Sequence, residues 1–359
     1  LPPHTQVVYL IPDIGFSNPV VIAWAGLNLL YAASRSPLAM WRLVKVCRQQ
    51  GTGRETWRRV LRYAPFLRMR PDVIQFDFSM TASLYPLLGT LLHAPTVVSC
   101  RGADIHMWNQ RPAYDQESRL SALCQATAVH CVSAEMASAV TQISGRTEGI
   151  WINRPAVPVD EIPTKTGYNS DAPLIVAVGR LTWKKGFDYL LAVFMKLKQA
   201  GVPFRAQIIG EGELRSFLRF SIDDLSLSQE VKLVGSLPAV QVLARLREAD
   251  IFVLSSHEEG ISNAVLEAMS SGLPIVTTRA GGMDEVVQDG IEGFLVPVRD
   301  IAMMTDRIQR LLLDPALRQQ MGRAARLRAE ADFSLERQAL VFEQIYQSVT
   351  GLGTAQAPS

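Results

Sequence analysis

The sequence predicts an α/β protein of two domains, the second a doubly wound parallel sheet. Three observations predict it. Short continuous apolar runs of strand length end at glycine or polar residues, as strands covered on both faces do. Segments with apolar residues at three-to-four spacing alternate with those runs through the second half, which is the rhythm of a parallel sheet. The chain has 359 residues, and at about 150 residues per domain this suggests two units.

Composition narrows the function. Hydrophobic residues make up 48% and charged residues 19%, enough to bury substantial cores and too apolar for disorder. The net charge of +2 argues against a dedicated nucleic-acid binder. The four cysteines, Cys47, Cys100, Cys124 and Cys131, form no CxxC pair, which disfavours a zinc ribbon or disulfide scaffold and suits a reducing compartment. The chain opens Leu1-Pro2-Pro3 with no initiator Met and no basic n-region, which reads as a fragment or processed product without a secretory signal.

Taken in order, the first half offers strands at 6–11, 73–76, 96–100, 128–132 and 149–152. No glycine-rich turn opens it, as a complete Rossmann-like unit would require. The uncharged stretch 17–34 is interrupted by Asn18, Gly26 and Asn28 and reads as a buried or interfacial helix rather than a membrane span. Between Arg35 and Arg70 ten basic residues face a single acid, Glu55, with Trp41, Trp57, Tyr63 and Phe66 interleaved. That pattern fits docking on anionic lipid; a solvated helical face is the plainer alternative, and no stacking module accompanies it for RNA.

Residues 155–172, holding Pro155, Pro158 and Pro163, read as a linker. Six strand-like runs follow at 174–178, 206–209, 231–234, 251–254, 274–277 and 294–296. Helix-like segments fall at 189–197, 214–225, 240–249, 263–269, 283–288 and 301–313. A last helix, 335–349, follows Ser334 as N-cap, and the tail 351–359 is expected to be disordered. In such sheets ligands bind off the carboxyl ends of the strands.

Four strand-end segments carry chemistry. In Gly179-Arg180-Leu181-Thr182-Trp183-Lys184-Lys185-Gly186, Arg180 can fork onto a diphosphate and Lys185 can add a point charge. Gly210-Glu211-Gly212-Glu213 has Arg215 where a dinucleotide fingerprint needs a third glycine, so NAD is disfavoured, but Gly210 and Gly212 still permit close approach by a ligand or the facing domain. In Val234-Gly235-Ser236-Leu237-Pro238 the backbone could pair with a flat heterocycle, although a plain turn has the same residues. In the fourth, Glu259 precedes Ser262, a candidate N-cap for a helix whose free N–H groups would receive an anion. Glu267 lies inside that otherwise apolar helix and needs a donor or a cavity.

These segments, in this order and spacing, resemble the retaining glycosyltransferases of family 4. Glu259 and Glu267 stand seven residues apart, and 266–276 looks like the family's signature run. The likeness is clear over about 173–298, fainter at Arg101-Gly102-Ala103-Asp104 and 132–135, and closest in character to bacterial exopolysaccharide and colanic-acid-type enzymes. It implies the GT-B fold, two Rossmann-like domains facing across a cleft: 1–154 on the acceptor side, 173–333 holding a nucleotide-diphosphate sugar, and 334–350 crossing back. It further implies that Arg180 and Lys185 neutralise the leaving diphosphate, Glu259 contacts the sugar, Glu267 the ribose, and Gly235, Ser236 and Leu237 the base. Ser262, Asn263, Ala264 and Val265 join Gly210 and Gly212 on the donor side.

The implied reaction is retaining transfer of a hexosyl unit to a saccharide or lipid-linked saccharide in surface polysaccharide synthesis, in the cytoplasm or at the inner face of its membrane. No two Asp residues stand two positions apart, so no metal cofactor is expected, the cations and helix terminus serving instead. Arg101 stands where the family often has His and cannot act as a base; Arg101 and Asp104 are acceptor or sugar contacts, and His106 reads as a loop histidine. Rival readings are a degenerate nucleotide-sugar binder, a phosphorylase or epimerase on the same fold, and an NAD enzyme.

Overall fold

The computed structural model describes residues 23–351 apart from 24, 25, 28, 32, 35, 36, 50–52, 103, 104, 106, 166 and 168–171. The expected strand at 6–11, most of 17–34, the tail beyond 351, Asp104 and His106 lie outside the described residues.

Two parallel sheets organise the chain. The first holds β1 (Ile74–Phe76), β2 (Thr96–Cys100), β3 (Ala128–Cys131) and β4 (Ile150–Ile152) in sequential order. The second holds β5 (Leu174–Val178), β6 (Arg205–Ile209), β7 (Val231–Gly235), β8 (Ile251–Leu254), β9 (Ile275–Thr278) and β10 (Gly293–Val296), in the order β10-β9-β8-β5-β6-β7. The chain builds outward from β5 to β7, then returns to lay β8 on the other side of β5. That reversal opens a crevice at the carboxyl ends of β5 and β8, where open α/β sheets bind ligands.

Burial explains the apolar runs. β8 and β9 are buried throughout, and the second sheet has an apolar cluster on each face. Phe187, Leu190, Leu191 and Phe194 of the helix Phe187–Gln199 cover one face. Val265, Leu266 and Met269 of the helix Asn263–Ser270 cover the other. Leu43, Val60, Val98 and Leu123 share the first sheet's main core. Its remaining face receives Ile345, from the helix Leu335–Thr350, against Val97 and Ala128. Ser334 caps that helix, its hydroxyl accepting from Arg337 N at 3.3 Å.

Two expectations need correction. The helix expected at 283–288 is a 3-10 turn, Gly281–Glu285. Gly281 has a φ of 56°, glycines resist regular helix, and Gly282 N–H is committed to Gly260 O at 2.9 Å. The stretch read as a linker is packed at its start: Val157, Val159 and Ile162 are buried in the core beneath the second sheet, and Val157 bridges to Ser334.

Candidate functional site

The turn after β5 is built to hold two cations over the crevice. Leu181 is buried and anchors it in the core. Gly186 ends the Trp183–Lys185 turn at a φ of 59°, and a side chain there would strike the Ser255 carbonyl. Ser255 Oγ lies 2.9 Å from both the Lys185 and the Gly186 carbonyl oxygens, stitching the β5 turn to the end of β8. Lys185 lays its aliphatic stem along Gly179, where an added Cβ would sit 3.3 Å from Lys185 Cδ. Its ammonium pairs with Glu259, which also accepts from Ser256 Oγ at 2.9 Å. Arg180 is exposed beside them.

The helix Asn263–Ser270 begins at this point. Ser262 occupies its N-cap position and is buried, but its side chain makes no capping bond, contrary to expectation. Behind it, Glu267 is half-buried, and burial raises its carboxyl above the usual range. Such a group favours a hydroxyl donor or a proton.

Two cavities meet here. The larger, about 520 Å³, is lined by Gly179, Ser262, Asn263, Ala264, His130 and Phe342 among others. The smaller, about 370 Å³, is lined by Phe78, Met80, Arg111, Arg119, Thr182, Lys184 and Glu258 among others. Arg101, Arg180, Lys185 and Glu259 line both and so form the partition. All four were candidates from sequence.

The first sheet supplies the opposing wall. Arg101 leaves β2 and binds Asp77 at 3.3 Å, with its guanidinium 5.8 Å from the Phe78 ring centre. Gly102 and Gly260 face each other across the seam; a Cβ on Gly260 would come within 2.6 Å of Arg101 O. His130 is buried on β3, and burial holds its pKa below the ordinary value. Its Nε2 meets Asn153 O at 2.9 Å and its Nδ1 meets Ser99 Oγ at 2.9 Å. A carbonyl only accepts, so Nε2 carries the proton and Nδ1 accepts from Ser99.

Other candidates lie off these cavities. A side chain on Gly210 or Gly212 would collide with the backbone of Gly179 or Leu181. The close approach they permit is to the β5 turn, where it helps set the position of Arg180. Gly235 has a φ of 88°, and its carbonyl accepts from Gly210 N at 2.9 Å. Ser236 is exposed and Leu237 half-buried. Val265 is fully buried in the core and its N–H bonds Ser262 O, so its side chain faces no ligand. Sequence reasoning missed Arg111, Arg119, Lys184 and His130. Arg111 and Arg119 sit four residues either side of Asp115 and both pair with it, Arg119 from within the helix Ala113–Gln125 and Arg111 from the turn before it.

Residues 158–328 match the family model described as glycosyl transferases group 1. The amylovoran biosynthesis glycosyltransferase AmsK of Erwinia amylovora is 34% identical over 194 residues, covering 52% of this chain and 48% of that one. Sucrose-phosphate synthase from Thermosynechococcus elongatus superposes with a TM-score of 0.74 at 19% identity, over 83% of this chain and 79% of that one. Anabaena Alr3699/HepE, solved in complex with UDP and glucose, gives 0.68 at 19%, over 78% of each chain. The chain spans about half the length of the curated relatives it matches.

Proposed function

We propose, from the premise that residues 158–328 match group 1 glycosyl transferases on a GT-B fold, that this protein moves a hexosyl unit from a nucleotide-diphosphate sugar to a saccharide or lipid-linked saccharide, in surface polysaccharide synthesis. One observation carries the reading. Arg180, Lys185, Glu259 and the start of the helix Asn263–Ser270 converge on one cavity at the crevice where the strand order reverses.

The charges suit the bond that breaks. Cleavage between the anomeric carbon and the β-phosphate oxygen leaves negative charge on the diphosphate. Arg180, Lys185 and the helix's positive end receive it, and fixed cations there stabilise the transition state more than the ground state. The acceptor hydroxyl oxygen bonds to the anomeric carbon, and its proton passes to the departing diphosphate oxygen. In the retaining course, acceptor attack and diphosphate departure take place on one face of the sugar. Glu259 holds Lys185 in place, and its other oxygen can accept from a sugar hydroxyl. Glu267 gains the donor it lacks from a ribose. On this reading the cations and helix terminus do the work that a metal would otherwise do.

UDP in the HepE complex makes uridine the first base to try. A melting-temperature screen of nucleotide sugars, with and without magnesium, tests the donor reading: a ligand of the native state raises the midpoint. The reading predicts a rise with one nucleotide class that magnesium does not alter. No rise with any nucleotide, in a folded protein, removes it. Release of sugar from the donor, or its transfer, separates an enzyme from a degenerate binder.

On this reading the reaction takes place in the cytoplasm or at the inner face of its membrane. Supporting this, the helices Pro37–Gln49 and Arg54–Tyr63 expose Leu38, Trp41 and Trp57 beside Arg42, Lys45, Arg48 and Arg58. Among the described residues no helix is long and apolar enough to cross a membrane.

A further inference from the structure

The smaller cavity sets paired charges around an exposed aromatic ring. Lys184 pairs with Glu258 at 3.1 Å and Lys185 with Glu259. From the first lobe, Arg111 and Arg119 pair with Asp115 at 3.2 Å and 2.8 Å, and Arg101 with Asp77 at 3.3 Å. Each of these cations stands against an acid. Together they present oriented N–H donors and carboxylate oxygens, the lining that suits a neutral ligand rich in hydroxyls.

The apolar part of the lining has a definite shape. Phe78 and Met80 line this cavity and not the larger one. The short helix Ser79–Leu84 that follows Phe78 is anchored by buried Ser79 and Ala82. Phe78 and Met80 join neither apolar cluster of the first lobe, so packing does not account for them. The Arg101 guanidinium stands over the Phe78 ring, 5.8 Å from its centre, yet Phe78 remains 44% exposed. A ring covered on both faces could not keep that much surface, so one face is open.

A pyranose answers both halves of this lining. The axial C–H bonds on one face of a sugar ring carry partial positive charge and lie well against the negative face of an aromatic ring. Its hydroxyls spread around the rim, where the paired side chains supply donors and acceptors. Asp77 directly precedes Phe78, and its side chain is 70% exposed. A carboxylate has lone pairs beyond those that Arg101 takes, and neighbouring sugar hydroxyls can donate to them.

The place fits the acceptor. On the proposed reading Arg180 and Lys185 hold the diphosphate at the partition, and the anomeric carbon is bonded to that group. The attacking hydroxyl therefore reaches the partition from the space beside it, which the smaller cavity provides. We propose that Phe78 is a stacking platform for the terminal pyranose of the acceptor, with Asp77 accepting from its hydroxyls. The word acceptor rests on the transferase reading; the sugar platform rests on the cavity alone.

Saturation-transfer NMR on the full chain, with and without UDP, tests it. The probes are methyl β-D-glucopyranoside, methyl β-D-galactopyranoside and the acyclic hexitol mannitol. At least one pyranoside is expected to bind, with saturation concentrated on the hydrogens of one ring face, and mannitol is not. Phe78→Ala and Phe78→Leu should each weaken that binding by about threefold to tenfold, and Phe78→Trp should keep it. Asp77→Asn should weaken it while leaving the one-face pattern in place. UDP affinity should be unchanged throughout. Absence of pyranoside binding overturns the proposal, as does equal binding of mannitol. Full binding by Phe78→Leu also overturns it, since leucine offers apolar contact without a ring. Absence of UDP binding, beside a pyranoside signal that depends on Phe78, would sink the donor reading and leave the platform standing.

Discussion

Arg154 and Glu285 meet across the seam between the two sheets, Arg154 Nη2 donating to Glu285 Oε2 at 2.6 Å and Nε at 3.1 Å. The other carboxylate oxygen accepts from the backbone N–H of Ala134 at 2.7 Å and of Glu135 at 3.2 Å. These are first-turn donors of the helix Ala134–Ser144, whose cap Ser133 accepts from Met136 N at 3.0 Å. One side chain of the second lobe thus completes a helix end in the first, where negative charge is favoured.

Glu285→Ala should therefore loosen the seam. Glu285 is mostly buried, but Arg154 is more than a third exposed, so screening trims the gain. The expected cost is about 1–3 kcal/mol, from charge-assisted bonds lost and helix donors left open. A lower melting midpoint and a larger radius of gyration by X-ray scattering would register it. If neither moves, the lobes are held by the Gly260 and Gly282 contacts instead.

Lys185→Ala should slow turnover by about 10² or more, by analogy with losing one preorganised donor to a developing anion. The ion pair adds a consequence: Glu259 loses its partner in a site where both side chains are largely buried. Lys185→Arg should recover part of the rate. Turnover close to wild type in the alanine variant would remove the leaving-group role, whatever its effect on stability.

Much of this was legible because strand ends in a parallel sheet are both structural and functional. The apolar runs gave most strands to within a residue, since burial on both faces leaves no alternation to misread. Arg101, Arg180, Lys185 and Glu259 follow such ends, so the partition could be named before it could be seen. Arg111 and Arg119 could not, because Arg119 lies on the helix Ala113–Gln125 and Arg111 in the turn before it, and their orientation toward the cleft depends on packing. Gly210 and Gly212 were legible as close-approach positions, but not the β5 turn as what lies against them, since glycine announces close approach and not what approaches. Ser262 misled because a capping residue type does not oblige its hydroxyl to cap.

Glu267 links pH to both stability and binding. Burial raises its folded pKa above the ordinary carboxylate value. A raised carboxyl favours the protonated native state. Its contribution is present below the unfolded pKa and is lost as pH rises through the folded one. The ligand-free protein should then lose stability across that window, and Glu267→Gln should flatten the loss and raise the melting midpoint at neutral pH. The same variant should weaken nucleotide-sugar binding, since a ribose donor then meets no charge. Melting curves against pH, with and without nucleotide, read both effects. An unchanged nucleotide affinity would separate Glu267 from the ribose.

The exposed face of Pro37–Gln49 and Arg54–Tyr63 sets the last prediction. Leu38 and Trp41 are 73% and 61% exposed, and Lys45 Nζ stands 5.1 Å from the Trp41 ring centre. Nearby, Arg42 contacts His93 at 3.2 Å and Arg59 pairs with Glu55 at 2.7 Å, so part of the charge has partners within the protein. A face held only for solubility has no need of exposed Trp and Leu among its cations, whereas an anionic bilayer meets both. Each cation near such a surface is worth about 1 kcal/mol. The protein should co-sediment with phosphatidylglycerol vesicles at low salt and less at high salt. Arg42→Glu combined with Lys45→Glu should abolish sedimentation, and Trp41→Ala should weaken it while leaving nucleotide affinity intact. Wild-type protein that stays in the supernatant at low salt would mark the face as merely solvated.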